Sequence, residues 1–319
     1  MGKTERKNGE LRIAGGVQVL LAVLIVLILA AAVYIFPRYG KVYAGYSKER
    51  QAYSAANDKL KAAQKTHDEL TETLTELETA KSEVDAASGE VFTLAAKLEK
   101  DILAGKSDKK ICYITLDDGP YNRGKEYLEL FNKYDIKATF FLTTANGNKL
   151  PDQGDLTAAS AYPEYLRYGH TIGNHTYSHN YAKGGIYTSP DAFMESVEKQ
   201  QKFTEEATGG YSPSIVRFPG GTSMTGNDLE KYEAALREKG YGWIDWTIDS
   251  GDSAGGDNDD PAKIKKRVLK AAKEQKVMVV LFHEWSKNTL EVLPDIIEQM
   301  EKDGYIFLPL FKESAMVNK

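Results

Sequence analysis

The amino-acid sequence predicts an α/β domain that runs from Lys109 to the C-terminus. Short apolar runs rich in β-branched and aromatic residues alternate there with longer amphipathic segments, as expected of strands and helices in turn. Repeated strand–helix units form a parallel sheet or barrel whose two faces are covered by helices. Two segments of different character precede this domain, so we expect an apolar anchor, a helical stalk and an α/β domain in that order.

The overall composition narrows the class of protein. The chain has 319 residues, a net charge of −5 and 42% hydrophobic residues, which is ordinary for a globular protein. It has no basic patch with interleaved aromatic residues, so we expect no nucleic-acid partner. Its single cysteine, Cys112, excludes an intrachain disulfide and is expected to be a small buried hydrophobic residue.

The first element is an uncharged apolar segment, Ala14–Phe36, which follows a short polar tail over residues 1–13. A stretch of this length can cross a bilayer as one helix, and it lacks a polar face. The short tail favours an N-in orientation. Ala30-Ala31-Ala32 also fits a signal-peptidase site, but the apolar stretch is long for a cleaved signal. We therefore predict a cytoplasmic tail, an uncleaved transmembrane anchor in the cell membrane and an extracytoplasmic α/β domain.

The second element is a stalk over residues 41–104, before the α/β domain at 105–319. Between Tyr53 and Ile102 apolar residues recur at alternating spacings of three and four, the pattern of a coiled-coil seam. At about 1.5 Å per residue this helix would reach roughly 75 Å. We expect self-association through the stalk; the alternative is a helix that folds back on the next domain. Either way the segment predicts a spacer between the membrane and the α/β domain.

The α/β domain divides into six predicted strands and six predicted helices. Ser189-Pro190-Asp191 is a helix start, and Gly240 and Gly304 stand where helix ends are expected. The strands are Ile111–Leu116, Ala138–Thr143, Ile215–Phe218, Gly242–Ile248, Val277–Phe282 and Tyr305–Leu310. The helices are Gly124–Tyr134, Thr157–Tyr168, Asp191–Thr208, Asp228–Lys239, Ala262–Glu274 and Thr289–Lys302.

Two adjacent carboxylates, Asp117 and Asp118, end the first strand before a Gly-Pro turn. Active sites of parallel α/β folds lie at the carboxyl ends of the strands. Consecutive side chains of a strand point to opposite faces, so the two carboxylates are expected to serve different neighbours. Two like charges at the rim of a core are costly unless a cation or a proton is shared. The pair therefore indicates a nearby metal ion, an arginine, or both; a solvated turn is the plain alternative.

A second constellation contains His175 and His179. On a helical turn, residues four apart lie on one face, so the two imidazoles can hold one metal ion. Two histidines and one carboxylate leave coordination positions open, which is typical of a catalytic and not a structural metal. His170, which follows Gly169, is expected to be structural.

Two further constellations also lie at predicted strand ends. Arg217 precedes Pro219-Gly220-Gly221; an arginine there can keep a neighbouring aspartate ionised, and the glycines leave backbone N–H groups open to a developing oxyanion. His283 ends a strand beside the segment Asp249-Ser250-Gly251-Asp252, which suits a histidine general acid oriented by a carboxylate.

Taken in order, these motifs resemble those of the polysaccharide deacetylase family (NodB homology, carbohydrate esterase family 4). They are Thr115-Leu116-Asp117-Asp118-Gly119-Pro120, His175-Thr176-Tyr177-Ser178-His179, Arg217-Phe218-Pro219-Gly220, Asp249-Ser250-Gly251-Asp252 and Leu281-Phe282-His283. The resemblance covers Lys109 to the C-terminus and not the anchor or the stalk. It implies a distorted (β/α) barrel and metal-dependent removal of N-acetyl groups from amino sugars, or of O-acetyl groups from xylan.

The resemblance also implies a role for each matching residue. Asp118, His175 and His179 would bind Zn²⁺, or Co²⁺, Ni²⁺ or Mn²⁺. Asp117 would be the base that takes a proton from the metal-activated water, and Arg217 would orient it. His283 would protonate the leaving amine, with Asp252 or Asp249 as its partner. Gly220 would supply an oxyanion N–H group, and Leu281 would line the acetyl pocket.

The chain departs from the family pattern at two positions. Leu116 replaces the usual Phe, an apolar exchange that we expect to be harmless. Ser253 replaces the usual Trp after Asp252, so one wall of the acetyl pocket is missing; Trp246 or Trp285 is a possible replacement. This departure puts the substrate preference in doubt more than the activity.

We expect an acetylated glycan as substrate, and our first hypothesis is deacetylation of N-acetylglucosamine in peptidoglycan, because the predicted anchor and stalk suit an enzyme of the cell envelope. The alternatives are an exopolysaccharide, chitooligosaccharide or acetylxylan deacetylase, or a catalytically silent glycan-binding scaffold.

Overall fold

The fold is that of a computed structural model, which describes residues 20–21, 23–26, 92–145, 158–255 and 259–319. Residues Phe92–Lys319 belong to one compact unit. Of the predicted anchor only residues 20–21 and 23–26, all helical, are described, and most of the predicted stalk lies outside the described residues. In the described part of the chain, no helix has both the length and the apolar character needed to cross a membrane.

The described residues contain a parallel sheet of eight strands. Its order is β5-β4-β3-β2-β1-β7-β6, and β8 pairs with the start of β1. Within the described residues β5 and β6 do not pair, so the sheet is an open half-barrel. The strands are β1 (Lys110–Gly119), β2 (Thr139–Leu142), β3 (Thr171–Asn174), β4 (Ile215–Val216), β5 (Gly242–Trp243), β6 (Ile248–Asp249), β7 (Val277–His283) and β8 (Tyr305–Phe307).

Helices separate most of the strands, which confirms the predicted α/β class. The first, α1, covers residues 92–103. The others are α2 (Gly124–Lys133), α3 (Ala158–Arg167), α4 (Pro190–Thr208), α5 (Leu229–Glu238), α6 (Pro261–Glu274) and α7 (Lys287–Lys302).

Local sequence signals explain where the long helices begin. The Ser189 hydroxyl accepts a hydrogen bond from the Ala192 N–H group at 3.1 Å, and Pro190 opens α4. Asp260 caps α6 in the same way, and Ser286 caps α7 through the Thr289 N–H group. Each cap satisfies N–H groups that the first helical turn leaves without partners.

Alternation along β1 divides the interior into two cores. Cys112, Ile114 and Leu116 face a cluster formed with α2, α3, α6 and α7. Tyr113 faces the opposite cluster, inside the half-barrel. Thr115 and Asp117 share the face of Tyr113 because strand side chains alternate, so β1 directs its polar residues into the half-barrel.

Helix α1, which lies within the range predicted for the stalk, packs against the base of the second core. Ala95, Ala96 and Ile102 are buried there, and the Phe92 ring stacks on Phe311 at 5.2 Å. The Glu99 carboxylate of α1 is fully buried. It accepts hydrogen bonds from the Tyr113 hydroxyl at 3.0 Å, the Ser314 hydroxyl at 2.8 Å and the Ala315 N–H group at 2.5 Å.

The sheet differs from the sequence prediction most at two places, and β4 and β8 are also shorter than predicted. β3 was not predicted, since Thr171-Ile172-Gly173-Asn174 is short and contains one large apolar residue. Gly173 is required there because a Cβ atom would lie 2.4 Å from the Phe141 ring. The strand predicted over Gly242–Ile248 is split into β5 and β6. Between these two strands, the Arg217 side chain donates hydrogen bonds to the Ile244 and Asp245 carbonyl oxygens, at 3.2 and 2.9 Å.

Candidate active site

The two aspartates at the end of β1 face the same histidine. The pairing of β1 with β2 shifts between Asp117 and Gly119, and Asp118 has a left-handed φ of 70°. As a result Asp117 Oδ2 and Asp118 Oδ1 each lie 3.6 Å from His175 Nε2. The two carboxylates therefore share His175, because the bulge redirects Asp118. The expectation of different neighbours holds for their other contacts, since Asp117 also pairs with Arg217 and Asp118 with His179.

His175 and His179 converge through an irregular turn and not through the helical turn expected from their spacing. Thr176 and His179 have φ angles of 64° and 47°. The Asn174 side chain accepts from the Thr176 N–H group at 2.9 Å, and the Thr176 hydroxyl accepts from the His179 N–H group at 3.2 Å. These bonds fix the turn so that the two Nε2 atoms lie 3.2 Å apart.

Asp118, His175 and His179, the predicted metal ligands, offer ligand atoms that all lie within 4.8 Å of one another. His179 Nε2 lies 3.0 Å from Asp118 Oδ1. Ligand atoms about 2.1 Å from a tetrahedral Zn²⁺ lie about 3.4 Å from one another. The observed separations of 3.0, 3.2 and 3.6 Å are close to this value, so the donor set fits a divalent ion of the zinc type.

The protonation of these side chains also suits a metal ion. Burial, together with the charge of His179, lowers the pKa of His175 to about 4 against the opposing effect of Asp117. Burial favours a higher pKa for Asp118, but the hydrogen bond from His179 and the nearby imidazoles hold that pKa well below its ordinary value. A neutral imidazole and an ionised carboxylate are the forms that bind a metal.

Two outer contacts orient these side chains. His175 Nδ1 donates to the Arg217 carbonyl oxygen at 2.9 Å, which leaves Nε2 with its lone pair toward Asp118. The Trp285 indole N–H donates to Asp118 Oδ2 at 3.1 Å. Such contacts fix the tautomer and the direction of a ligand.

Arg217 lies fully buried beside Asp117. Its Nη1 donates to Asp117 Oδ1 at 2.9 Å and to the Thr115 hydroxyl at 2.6 Å. The guanidinium group also lies 4.1 Å from the centre of the Phe141 ring. With its two bonds to backbone carbonyls, Arg217 is held at every nitrogen and cannot turn away from Asp117.

His283 is next to Asp117 in the register of β1 and β7. Its Nδ1 lies 2.7 Å from Asp252 Oδ1, and its backbone N–H donates to Oδ2 at 2.8 Å. Burial alone would lower the pKa of His283, but the Asp252 carboxylate outweighs it and raises this pKa to about 9. Asp249, the other partner considered, is exposed and accepts instead from the Gly251 N–H group at 2.7 Å.

The remaining predicted residues lie at the same edge of the sheet. Leu281 is buried on β7 and, by alternation, shares the face of His283. Gly220 is exposed in a left-handed turn with φ of 75°. Ser253 stands where the family usually has a Trp, and two tryptophans could supply the missing pocket wall. The Trp285 ring lies 5.2 Å from the His283 ring, whereas the Trp246 ring lies 5.8 Å from the Arg217 guanidinium group.

Sequence reasoning missed four supporting side chains. Thr115 bonds Arg217, and Thr289 donates to Asp252 Oδ2 at 2.6 Å. Trp285 is predicted only as a pocket wall, and its hydrogen bond to Asp118 is not predicted. Glu284 is not predicted either, although its place directly after His283, at a strand end, points to the site.

Comparison with known proteins places this fold and site in a known class. The sequence profile of the family described as polysaccharide deacetylase matches residues 104–241. A peptidoglycan-N-acetylglucosamine deacetylase of Bacillus cereus is 33% identical over 213 residues, which cover 65% of this chain and 71% of that protein.

Solved structures agree. The catalytic domain of a peptidoglycan N-acetylglucosamine deacetylase from Eubacterium rectale superposes with a TM-score of 0.59 at 29% identity, covering 66% of this chain and 93% of that one. A polysaccharide deacetylase from Bacillus cereus gives a TM-score of 0.54 at 28% identity, covering 65% and 94%.

The fold and the site define a hydrolase of the half-barrel α/β type. The chain belongs to the polysaccharide deacetylase family, and it is an enzyme of the class that hydrolyses amide bonds. The family predicted from the five motifs is therefore confirmed.

Proposed function

We propose that this chain removes the N-acetyl group from N-acetylglucosamine in peptidoglycan by metal-dependent hydrolysis. The observation that carries the proposal is the meeting of three groups at one edge of the sheet: the Asp118, His175 and His179 set, the Asp117–Arg217 pair and the His283–Asp252 pair. The relatives named as peptidoglycan deacetylases support the choice of glycan.

Asp118, His175 and His179 would hold a divalent ion, with Zn²⁺ as our first choice and Co²⁺, Ni²⁺ or Mn²⁺ as alternatives. When bound, such an ion supplies Lewis-acid chemistry, which polarises the acetyl carbonyl group and makes water a better nucleophile near neutral pH. Three protein ligands leave room for water and substrate.

Asp117 takes the proton of the attacking water. Its Oδ2 points toward His175, while Oδ1 is bound by Arg217. The guanidinium group cannot lose its proton, so it always donates to Oδ1 and fixes the direction of Oδ2, the free oxygen of Asp117.

His283 donates a proton from Nε2 to the leaving amine, because Nδ1 is engaged by Asp252. A pKa raised to about 9 keeps the imidazole protonated at neutral pH, as a general acid requires. Leu281 lines the pocket for the acetyl methyl group, and the Gly220 N–H group contributes to binding the oxyanion.

We further propose that the enzyme is held at the cell membrane through Ala14–Phe36, with its catalytic domain outside. The uncharged composition of that segment supports this location. Cell fractionation tests it: deletion of residues 14–36 should move the protein out of the membrane fraction, and an unchanged distribution would contradict the proposal. Self-association through the stalk stays a prediction.

Acetate release by the 319-residue chain tests the substrate. Zn²⁺-loaded protein is incubated with peptidoglycan, chitooligosaccharide and acetylxylan, and metal content is measured on the same sample. We expect release from peptidoglycan. Release from another glycan alone would overturn the substrate, and bound metal without release from any of them would favour the silent glycan-binding scaffold.

A further inference from the structure

Glu284 is a fully buried carboxylate behind the site, and the proposed mechanism does not use it. Its Oε1 accepts a hydrogen bond from the Tyr121 N–H group at 2.7 Å. The Tyr165 hydroxyl lies 2.9 Å from each of its two oxygens. The carboxylate therefore ties the turn after β1 to helix α3.

The backbone of Glu284 holds the other side of the same turn. Its N–H group donates to the Asp117 carbonyl oxygen at 3.1 Å. Glu284 therefore holds the backbone on both sides of Asp118. Its N–H group bonds Asp117, and its side chain bonds Tyr121.

Two glycines make the space for this carboxylate. A Cβ atom at Gly119 would lie 2.0 Å from Glu284 Oε2, and one at Gly124 would lie 2.5 Å from Oε1. Both distances are far shorter than an atomic contact allows. The turn and the start of α2 are therefore shaped around the Glu284 side chain.

Asp118 needs such support because it has a left-handed φ of 70°, which is unfavourable for a residue with a side chain. That conformation is what directs the Asp118 carboxylate toward His175 and His179. If the turn relaxes, the carboxylate moves away from the two imidazoles while the histidine turn stays intact.

We propose that Glu284 is a positioning residue that clamps the segment from Asp117 to Tyr121 and so holds Asp118 in the direction required of a metal ligand. The inference rests on the proposed function, since it takes Asp118 as a ligand.

Zn²⁺ affinity of the 319-residue chain, measured by titration calorimetry on metal-free protein, tests the clamp. Glu284→Leu keeps the bulk of the side chain but removes both acceptors. We expect its Zn²⁺ dissociation constant to rise at least about tenfold, as is usual when the support of a metal ligand is lost. Glu284→Gln keeps an acceptor for Tyr121 and should stay within about threefold of the parent.

Glu99→Leu is the matched control. Glu99 is another fully buried carboxylate with a tyrosine hydroxyl and a backbone N–H group as donors. It acts on Tyr113, about 13 Å along β1 from Asp117 at the usual strand rise. We expect Glu99→Leu to lose thermal stability without a change in Zn²⁺ affinity.

If Glu284→Leu does not fold, two milder variants test the clamp instead: Tyr165→Phe, with Tyr113→Phe as its control. Each removes one hydroxyl donor from its glutamate, and only Tyr165→Phe should weaken Zn²⁺ binding. The proposed clamp is overturned if Glu284→Leu binds Zn²⁺ as tightly as the parent. If the tyrosine variants are needed, it is overturned when Tyr165→Phe and Tyr113→Phe bind Zn²⁺ equally tightly. A parent chain that binds no Zn²⁺ would instead overturn the proposed function.

Discussion

At the scale of single residues, the site consists of a carboxylate and an imidazole that are neighbours on paired strands. Asp117 and His283 are in register across β1 and β7. Each is held by a second buried group, Arg217 for Asp117 and Asp252 for His283. In the proposed mechanism, this arrangement places the base Asp117 and the acid His283 side by side.

Asp117→Asn tests the base. The amide keeps the size of the side chain but cannot take a proton, so we expect kcat to fall by about 10²- to 10⁴-fold. Zn²⁺ binding should remain, since Asp117 is not among the proposed ligands. Asp249→Asn, at an exposed carboxylate on the same edge, is the control and should keep full activity. Retained kcat in Asp117→Asn would remove Asp117 from the mechanism.

Asp252→Asn tests the acid through the pH profile. With a pKa of about 9, His283 stays protonated up to that pH, so kcat/KM should decline on the alkaline side near pH 9. Without the Asp252 charge, burial lowers the pKa of His283 against the Asp117 and Asp118 carboxylates alone, so the decline should move to a lower pH than in the parent. If the alkaline decline of kcat/KM stays at the same pH in Asp252→Asn, His283 is not the group whose loss of a proton causes it.

The raised pKa of His283 also contributes to folding stability. The pKa of His283 is raised from 6.5 to about 9, so the folded state binds the proton more tightly than the unfolded state. The stabilisation is full below pH 6.5 and is lost as the pH rises through 9.

Residue types, spacing and the family resemblance together predicted which side chains meet, but not how. His175 and His179 followed from their chemistry and from the rule that sites lie at strand ends, whereas Asp118 as the third ligand followed from the resemblance to the family. The left-handed conformations of Asp118, Thr176 and His179 did not, because they depend on tertiary hydrogen bonds. For the same reason the indole bond from Trp285 and the Glu284 carboxylate were missed.

At the scale of elements, helix α1 is a structural part of the catalytic unit. It covers one end of the inner core and buries Glu99 among three donors. A fragment that starts at Ser107 lacks this helix and leaves those donors without their acceptor.

Glu99→Leu should lower the free energy of unfolding by about 3 kcal/mol, because buried hydrogen-bond donors lose their acceptor. Urea unfolding measures the change. Lys100→Leu, at the next position and exposed, should shift the free energy of unfolding by less than about 0.5 kcal/mol. Equal effects of the two substitutions would show that the Glu99 bonds do not stabilise the unit.

Long periodic elements were predictable and short ones were not. The predicted bounds of α4 and α6 are within one residue of those observed, because nearby residues determine their caps and their apolar periodicity. β3 and the split between β5 and β6 depend on the Phe141 ring and on Arg217, which come from distant parts of the chain.

At the scale of the whole molecule, the half-barrel gathers residues from far apart in the sequence. β1 supplies Asp117 and Asp118, the segments after β3 and β4 supply His175 and Arg217, and β7 supplies His283. All of these strands are parallel, so their carboxyl ends share one edge. The site is therefore a consequence of strand order as much as of residue type.

The central claim is that deacetylation depends on a metal held by Asp118, His175 and His179. The most direct test measures acetate release from N-acetylglucosamine oligomers and peptidoglycan by the 319-residue chain, first freed of metal with a chelator and then reloaded with Zn²⁺. We predict no release from the metal-free chain, recovery after Zn²⁺, and no recovery in His179→Ala. Acetate release that continues without metal, or that Zn²⁺ restores equally in His179→Ala, would contradict the claim.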